Sequence, residues 1–463
     1  MIGGASAFLF KRDSGTSNEK GAIHLEQFRL PKIPMPKFEL PQAVQDVLAE
    51  ADVALAHRPK LLKLFKNCFP NTLETTTKLM DDGTTFVITG DIPASWLRDS
   101  VEQVIHYVPF AKEDKDLQRI IGGLVKRHVK YVLIDPYANA FNETANDWHW
   151  NKGDGTEMSP WVWERKFEID SLCFVVRLAY LYWKETEQTD IFDGSFREAM
   201  EAIVNVFRTE QYHFEQSPYR FTRDNGIEHD SLQNKGMGMP VNYTGMVWSG
   251  FRSSDDACDF HYNIPGNMFA VVALRQMQEF FEWIFRDQDY VRELKKLEQE
   301  IDRGIRLYGT YRHPEFGPIY AYETDGFGNY CLMDDAGTPG LMSIPYLGYV
   351  GADDPVYQNT RRFALSKENP FYYEGTAAKG IGSPHTPPDY VWHMALSMQG
   401  LTASSKEEKL ELIQMLENTD ADTGFMHEGF HVDDPTIFTR KWFAWSNSLF
   451  SQLVYKAMKE DIL

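Results

Sequence analysis

Six stretches of this chain are dense in Trp, Asp, Glu, His, Gly and Pro, and each leads into every second helical segment. They span residues 91–98, 161–170, 248–267, 325–339, 380–392 and 426–442. The intervening connections, such as 187–193 and 404–408, read as ordinary solvated turns. The segments themselves carry apolar residues at helical spacing; in 42–55 these are Val44, Val47, Leu48, Ala51 and Leu55. The same spacing predicts helices at 60–69, 96–110, 117–133, 167–185, 196–207, 267–285 and 290–307. It predicts further ones at 335–347, 356–365, 390–401, 406–416 and 441–459. Alternating strands are few, and 85–89 and 318–322 read as local hairpins. A ring of six inner and six outer helices accounts for the alternation. Loops entering the inner helices gather at one mouth, and the plain turns lie on the opposite face, so functional residues converge on a rigid scaffold. A helical bundle with inconsequential loops is the competing arrangement, and it leaves the alternation unexplained.

Residues 1–41 read as a loose leader, and 42–463 as one catalytic domain. A Gly/Ser-rich start passes into Leu30-Pro31-Lys32-Ile33-Pro34-Met35-Pro36, where three prolines forbid a helix and favour extended backbone. The apolar run at 5–10 is too short for a signal-peptide core and lacks a cleavage site. No stretch of about 18 apolar residues occurs, so no membrane span is expected.

Cys68, Cys173, Cys258 and Cys331 are scattered without paired spacing, which points to reduced thiols and a cytoplasmic location. Asn142-Glu143-Thr144 and Asn242-Tyr243-Thr244 are glycosylation sequons, which matter only in a secreted protein. A formal net charge of −20 disfavours nucleic acid and anionic membranes as partners, since their phosphates need clustered Lys and Arg. A neutral substrate fits. Aromatic residues at 14% suit a sugar, whose C–H faces pack on rings while its hydroxyls seek polar groups; aromatic core packing accounts for the excess equally well.

Hydrolysis of a glycosidic bond needs a proton on the leaving oxygen and, across the sugar, a nucleophile or an activated water. Two carboxyl groups supply these roles. Ser253-Ser254-Asp255-Asp256-Ala257 offers adjacent carboxylates beside aromatic neighbours, and like charge plus desolvation is how a general acid keeps its proton. Ser254-Asp255-Asp256 also starts helices well. Met426-His427-Glu428-Gly429-Phe430-His431 sets a carboxylate between imidazoles. Its letters match a zinc-protease motif, but that motif needs one continuous helix, and Gly429 followed by Asp433-Asp434-Pro435 makes the segment a loop. No metal or other cofactor is expected. Trp96, Arg98 and Asp99 combine an aromatic platform with a cation and a carboxylate suited to vicinal hydroxyls, although a buried Arg–Asp pair holding the helix start fits too. Ser383-Pro384-His385-Thr386-Pro387-Pro388 presents His385 on a stiff loop, and Asp334-Asp335 reads as capping.

Several long segments in order carry a resemblance. GDIPASWLRDS, MVWSGFRSSDDACDFHYNIPGNMFAV, DGFGNYCLMDDAGTPGLMSIPYLGY, NPFYYEGTAAKGIGSPHTPPDYVWHMALSMQGLT and MHEGFHVDDPTIFTRKWFAWSNSLF resemble glycoside hydrolase family 125 from about Val44 to the last helix. The resemblance implies an all-α (α/α)6 barrel and an exo-α-1,6-mannosidase that inverts configuration without a metal ion. Its substrate would be a mannose-containing oligosaccharide or N-glycan fragment. It implies the acid in the Ser-Asp-Asp loop and the base in Met-His-Glu-Gly-Phe, hence Asp255 and Glu428, with Asp256 the alternative acid. Trp96, Arg98, Asp99, Asp256, Asn267 and His385 are the expected sugar-binding residues. Ser95 departs from the family pattern, which has methionine there. Other sugar enzymes on the same barrel, a glucosidase or an epimerase using His385 and His427, remain alternatives, as does a non-catalytic glycan-binding protein.

Overall fold

Several helices begin where the sequence supplies a cap. Asp114, Asp193, Asp287, Asp354 and Ser405 each accept a hydrogen bond from a first-turn N–H. They start Lys115–Ile134, Gly194–Glu210, Gln288–Tyr308, Pro355–Ala364 and Lys406–Asn418. Gln288–Tyr308 buries one stripe, Leu294, Leu297, Ile301, Gly304 and Ile305, as an amphipathic surface helix does. The helices between them differ. Ile169–Thr186, Ile264–Glu279, His393–Leu401 and Ala444–Lys459 are buried on most sides, and every residue from Ile264 to Leu274 is buried. A helix that is apolar all round belongs inside.

This is a computed structural model that describes residues 39–463, Met35 and the strand Ala7–Phe8; the rest of the expected leader lies outside the described residues. Among the described residues the protein is mostly helical, with sixteen α-helices. The buried helices meet in chain order. Leu97–Glu102 packs on Ile169–Thr186, which packs on Ile264–Glu279, which meets Ile344–Leu347. The adjoining turn Leu341–Ser343 meets His393–Leu401; that helix packs on Ala444–Lys459, which returns to Leu97–Glu102. Capped helices back them from outside: Lys115–Ile134 behind Ile169–Thr186, Gln288–Tyr308 behind Ile264–Glu279, Lys406–Asn418 behind His393–Leu401. No described helix is long and apolar enough to cross a membrane.

Both hairpins form, Thr77–Leu79 with Thr85–Val87 and Thr310–His313 with Gly317–Tyr320. Several helical expectations shorten: 96–110 breaks into Leu97–Glu102 and the 3-10 turn Ile105–Phe110, and 441–459 begins at Ala444. The 335–347 segment contains only the turn Leu341–Ser343 and Ile344–Leu347, because the Asp334 carboxyl accepts from the N–H groups of Asp335, Leu341 and Met342 and folds the intervening chain around itself. The 390–401 segment starts three residues late. Tyr390–Trp392 is instead a strand paired antiparallel with Gly429–His431, with Trp392 opposite Gly429. A second small sheet joins Ser95–Trp96 to Ala140–Phe141 and on to Val162–Glu164. Both sheets lie where the chain enters buried helices.

Candidate active site

The N-terminal ends of four buried helices converge. Trp96, Glu168, Trp392 and Phe443 stand just before them in extended conformation, and none caps its helix with its own side chain. Trp96, Trp392 and Phe443 line a chamber together with Arg98, Asp99, Ser253, Ser254, Asp255, His385, Glu428, Arg440 and Trp445. A cleft of about 640 Å³ shares Trp96, Asp255, His385, Glu428 and Arg440 with that chamber and adds Trp150, Tyr390 and Trp442. Residues from five of the six chemistry-dense loops therefore meet in one place.

Arg98 organises the inner part. Its side chain is 3% exposed and donates to Glu168 at 2.7 Å, Asp170 at 2.9 Å and Asp255 at 2.8 Å; its Nε lies 4.0 Å from Asp99. Its terminal nitrogens are thus engaged by carboxylates, as in the buried Arg–Asp alternative, while its Nε has no hydrogen-bond partner. Burial pushes Asp99 up to about 6, with Arg98 opposing and Asp255 adding to the rise.

Asp255 sits in the left-handed region with φ +65°, a conformation that costs a non-glycine residue energy and clusters at functional sites. Its neighbours hold it there. The Asp255 N–H donates to the Arg252 carbonyl at 3.0 Å, and Lys166 Nζ donates to the Asp255 carbonyl at 2.6 Å. Ser253 and Ser254 anchor the turn to Pro339 O at 3.1 Å and the Asp335 carboxyl at 2.7 Å. The side chain of Asp255 remains 26% exposed, toward the cavity. Burial pushes its carboxyl up, but Arg98, a hydrogen bond from Glu168, Lys166 and His385 together bring it down to about 2.

Asp256 is buried and lines neither space; it accepts from His385 Nδ1 at 3.0 Å. Although burial opposes it, Asp256 and then the Glu428 and Asp255 charges raise His385 to about 10, so His385 is an imidazolium at neutral pH. Asp256 therefore meets the chamber through its bond to His385, which lines it. Asn267 needs a larger correction. It is fully buried, its amide donates to Val247 O and Asn263 O, and its oxygen accepts from Val247 N–H, so it ties a loop to a helix and is absent from the cavity.

Glu428 is placed by the strand pairing, its carbonyl accepting from the His393 N–H at 3.2 Å. Thr439 Oγ1 donates to its carboxylate at 3.0 Å, and Arg440, itself held by Asp91, lies 3.5 Å away. The candidate zinc motif is a short strand here, with no helix to align its imidazoles. The ring nitrogens of His427 bond to Arg440 O at 3.1 Å and to Thr423 Oγ1 at 3.0 Å. Asp334 does cap a turn, as expected.

Sequence reading did not single out Glu168, Asp170, Lys166 or Arg440. All four lie in the loops 161–170 and 426–442, and the density of charge beside aromatic residues was the signal available.

The family model for metal-independent α-mannosidases, glycoside hydrolase family 125, matches residues 58–455. A curated relative, the meiotically up-regulated gene 157 protein of Schizosaccharomyces pombe, is 38% identical over 419 residues, covering 85% of this chain and 81% of its own. A solved structure from work on metal-independent α-mannosidases, the Streptococcus pneumoniae protein in a non-productive substrate complex with α-1,6-mannobiose, is 46% identical with a TM-score of 0.88. The match covers 90% of this chain and 98% of that one. A glycosidase at 11% identity and TM-score 0.50, covering 91% of this chain and 98% of its own, shares the fold alone. The chain therefore belongs to glycoside hydrolase family 125 and is a metal-independent α-mannosidase.

Proposed function

We propose that this α-mannosidase is an (α/α)6 barrel that releases terminal α-1,6-linked mannose with inversion, Asp255 acting as general acid and Glu428 as general base. One observation carries the reading: Asp255 and Glu428, from loops far apart in the chain, both line the chamber and the cleft. The closed sequence of helix contacts supports the barrel. The solved relative's complex with α-1,6-mannobiose supports the linkage, and a mannose-containing oligosaccharide or N-glycan fragment is the substrate class that follows. A cytoplasmic location goes with this reading, supported by four buried, unpaired cysteines and by Asn142, whose buried amide is bonded to Trp148 O and Pro160 O.

In the proposed reaction the Asp255 carboxyl gives its proton to the glycosidic oxygen as the C1–O bond breaks, and that oxygen keeps the bonding pair. Glu428 takes a proton from a water whose oxygen joins C1 from the opposite face. Inversion requires the two carboxyls to stand roughly 6.5–9.5 Å apart, leaving room for that water. His385, Asp99 and Trp96 border the space where the sugar lies. Mannobioses of each linkage, followed by NMR from the first turnovers, test the proposal. It expects cleavage of the α-1,6 isomer with β-mannose appearing first. Initial α-mannose, or preference for another linkage, overturns it.

A further inference from the structure

Asp255 beside the Arg98 guanidinium is poorly placed to keep a proton by itself, because an adjacent cation favours the carboxylate. Yet four carboxyls, from Asp99, Glu168, Asp170 and Asp255, gather on that one guanidinium in a largely buried setting. Full ionisation would set four negative charges against Arg98, with Lys166 and the His385 imidazolium the other cations close by, and the excess of buried negative charge favours retention of a proton. Glu168 and Asp255 accept from the two terminal nitrogens of the Arg98 guanidinium, at 2.7 and 2.8 Å, which brings their carboxyls side by side, and a hydrogen bond between two carboxyls requires a proton.

We infer that Glu168 is a positioning residue for the hydrolysis, pairing with Asp255 over Arg98 so that the two carboxyls share the proton delivered to the leaving oxygen. The inference rests on Asp255 being the acid. Glu168 stands immediately before the buried helix Ile169–Thr186, with no exposed side-chain surface. It accepts from Arg98 at 2.7 Å, Ser171 Oγ at 2.9 Å and Asn139 Nδ2 at 3.2 Å. The charged groups around the pair are Arg98 and Asp99 from one helix, Asp170 from the next, Glu164 and Lys166 from the strand side, and His385 from the Pro-rich loop.

The proton's location follows from opposing influences. Burial pushes Glu168 well above the usual carboxylate range, Arg98 opposes this, and the charges of Asp255 and Asp170 add to it. Asp255 is correspondingly held low. Two close carboxyls titrate as a unit, with one proton retained to higher pH than either would manage alone. When Asp255 gives that proton to the glycosidic oxygen, both carboxyls stand ionised over Arg98 until solvent returns a proton.

Glu168→Gln, Ser171→Ala and Asp255→Asn, assayed on α-1,6-mannobiose and on a dinitrophenyl α-mannoside whose departure needs no proton, test this. Glu168→Gln leaves Asp255 alone with its cations. It should lower mannobiose hydrolysis by about 10²–10⁴-fold while largely sparing the aryl substrate. The alkaline limb of kcat/KM should move down by about one to three pH units. Ser171→Ala removes a donor to ionised Glu168 and should move that limb the other way, and it decides the matter if Glu168→Gln does not fold. An unmoved limb in either folded variant, or equal loss on both substrates in Glu168→Gln, overturns the inference when Asp255→Asn still discriminates between substrates. If Asp255→Asn does not discriminate, Asp255 is not the acid, and both the proposed function and this inference fall.

Discussion

The Asp256 carboxyl accepts a hydrogen bond from Nδ1 of His385 at 3.0 Å, while its neighbour Asp255 turns the other way and meets Arg98. Asp255 adopts φ +65°, and from this turn the consecutive carboxylates reach different partners, Arg98 and His385, at one chamber.

Asp256→Asn should release His385 from its raised state of about 10. A group raised on folding stabilises the native state fully below its unfolded value, about 6.5 for histidine, and that contribution fades as pH rises through the folded value. The stability deficit of the variant should therefore be greatest near and below neutrality and close as pH approaches about 10. Denaturant midpoints across this window measure it, with ring NMR of His385 reporting the titration directly. A deficit that grows with pH contradicts the ion-pair assignment.

Glu428→Gln should abolish turnover and leave substrate binding intact. The amide keeps the shape but takes no proton from water, a loss of about 10²–10⁴-fold or more when no other base substitutes. Rates and calorimetric binding of α-1,6-mannobiose separate the two effects, and near-normal turnover rejects Glu428 as base.

Removing Arg98 is expected to cost stability first. Arg98→Ala strips Glu168, Asp170 and Asp255 of their shared cation in a buried setting. Breaking such an arrangement costs about 3–5 kcal/mol. Because protonation relieves stranded carboxylates, the deficit should shrink on going from mildly alkaline to mildly acidic buffer. Thermal melts at several pH values give the answer. A variant as stable as the parent at every pH would mean that the carboxylates do not depend on Arg98.

Prolonged treatment with EDTA should leave hydrolysis unchanged. Asp259, Glu323 and Cys331 form one close group of potential ligands among the described residues, but Arg252 already pairs with both carboxylates. Activity lost on chelation and restored by calcium or zinc would place the reaction in another mechanistic class.

Much of the scaffold was legible in the sequence because its signals are local. Helical periodicity and the two hairpins involve residues a few positions apart. The alternation of plain turns with chemistry-dense loops likewise pointed to six helix entrances, five of which supply residues to the chamber and cleft, and the family resemblance pointed to Asp255 and Glu428 on two of them. Tertiary structure decided the rest. Asn267 was expected to bind sugar from a loop that meets the common mouth, yet neighbouring backbone groups consume its amide. The helix expected from 335 was displaced by the buried Asp334 carboxyl, which gathers N–H groups from across a turn. Arg98 suggested hydroxyl binding, but its partners stand 70, 72 and 157 residues away, at Glu168, Asp170 and Asp255. A cap or a helical stripe is decided within a turn or two of backbone. Which charges neutralise one another in a buried cluster depends on which helix ends the closed ring of contacts brings together, and no local pattern encodes that.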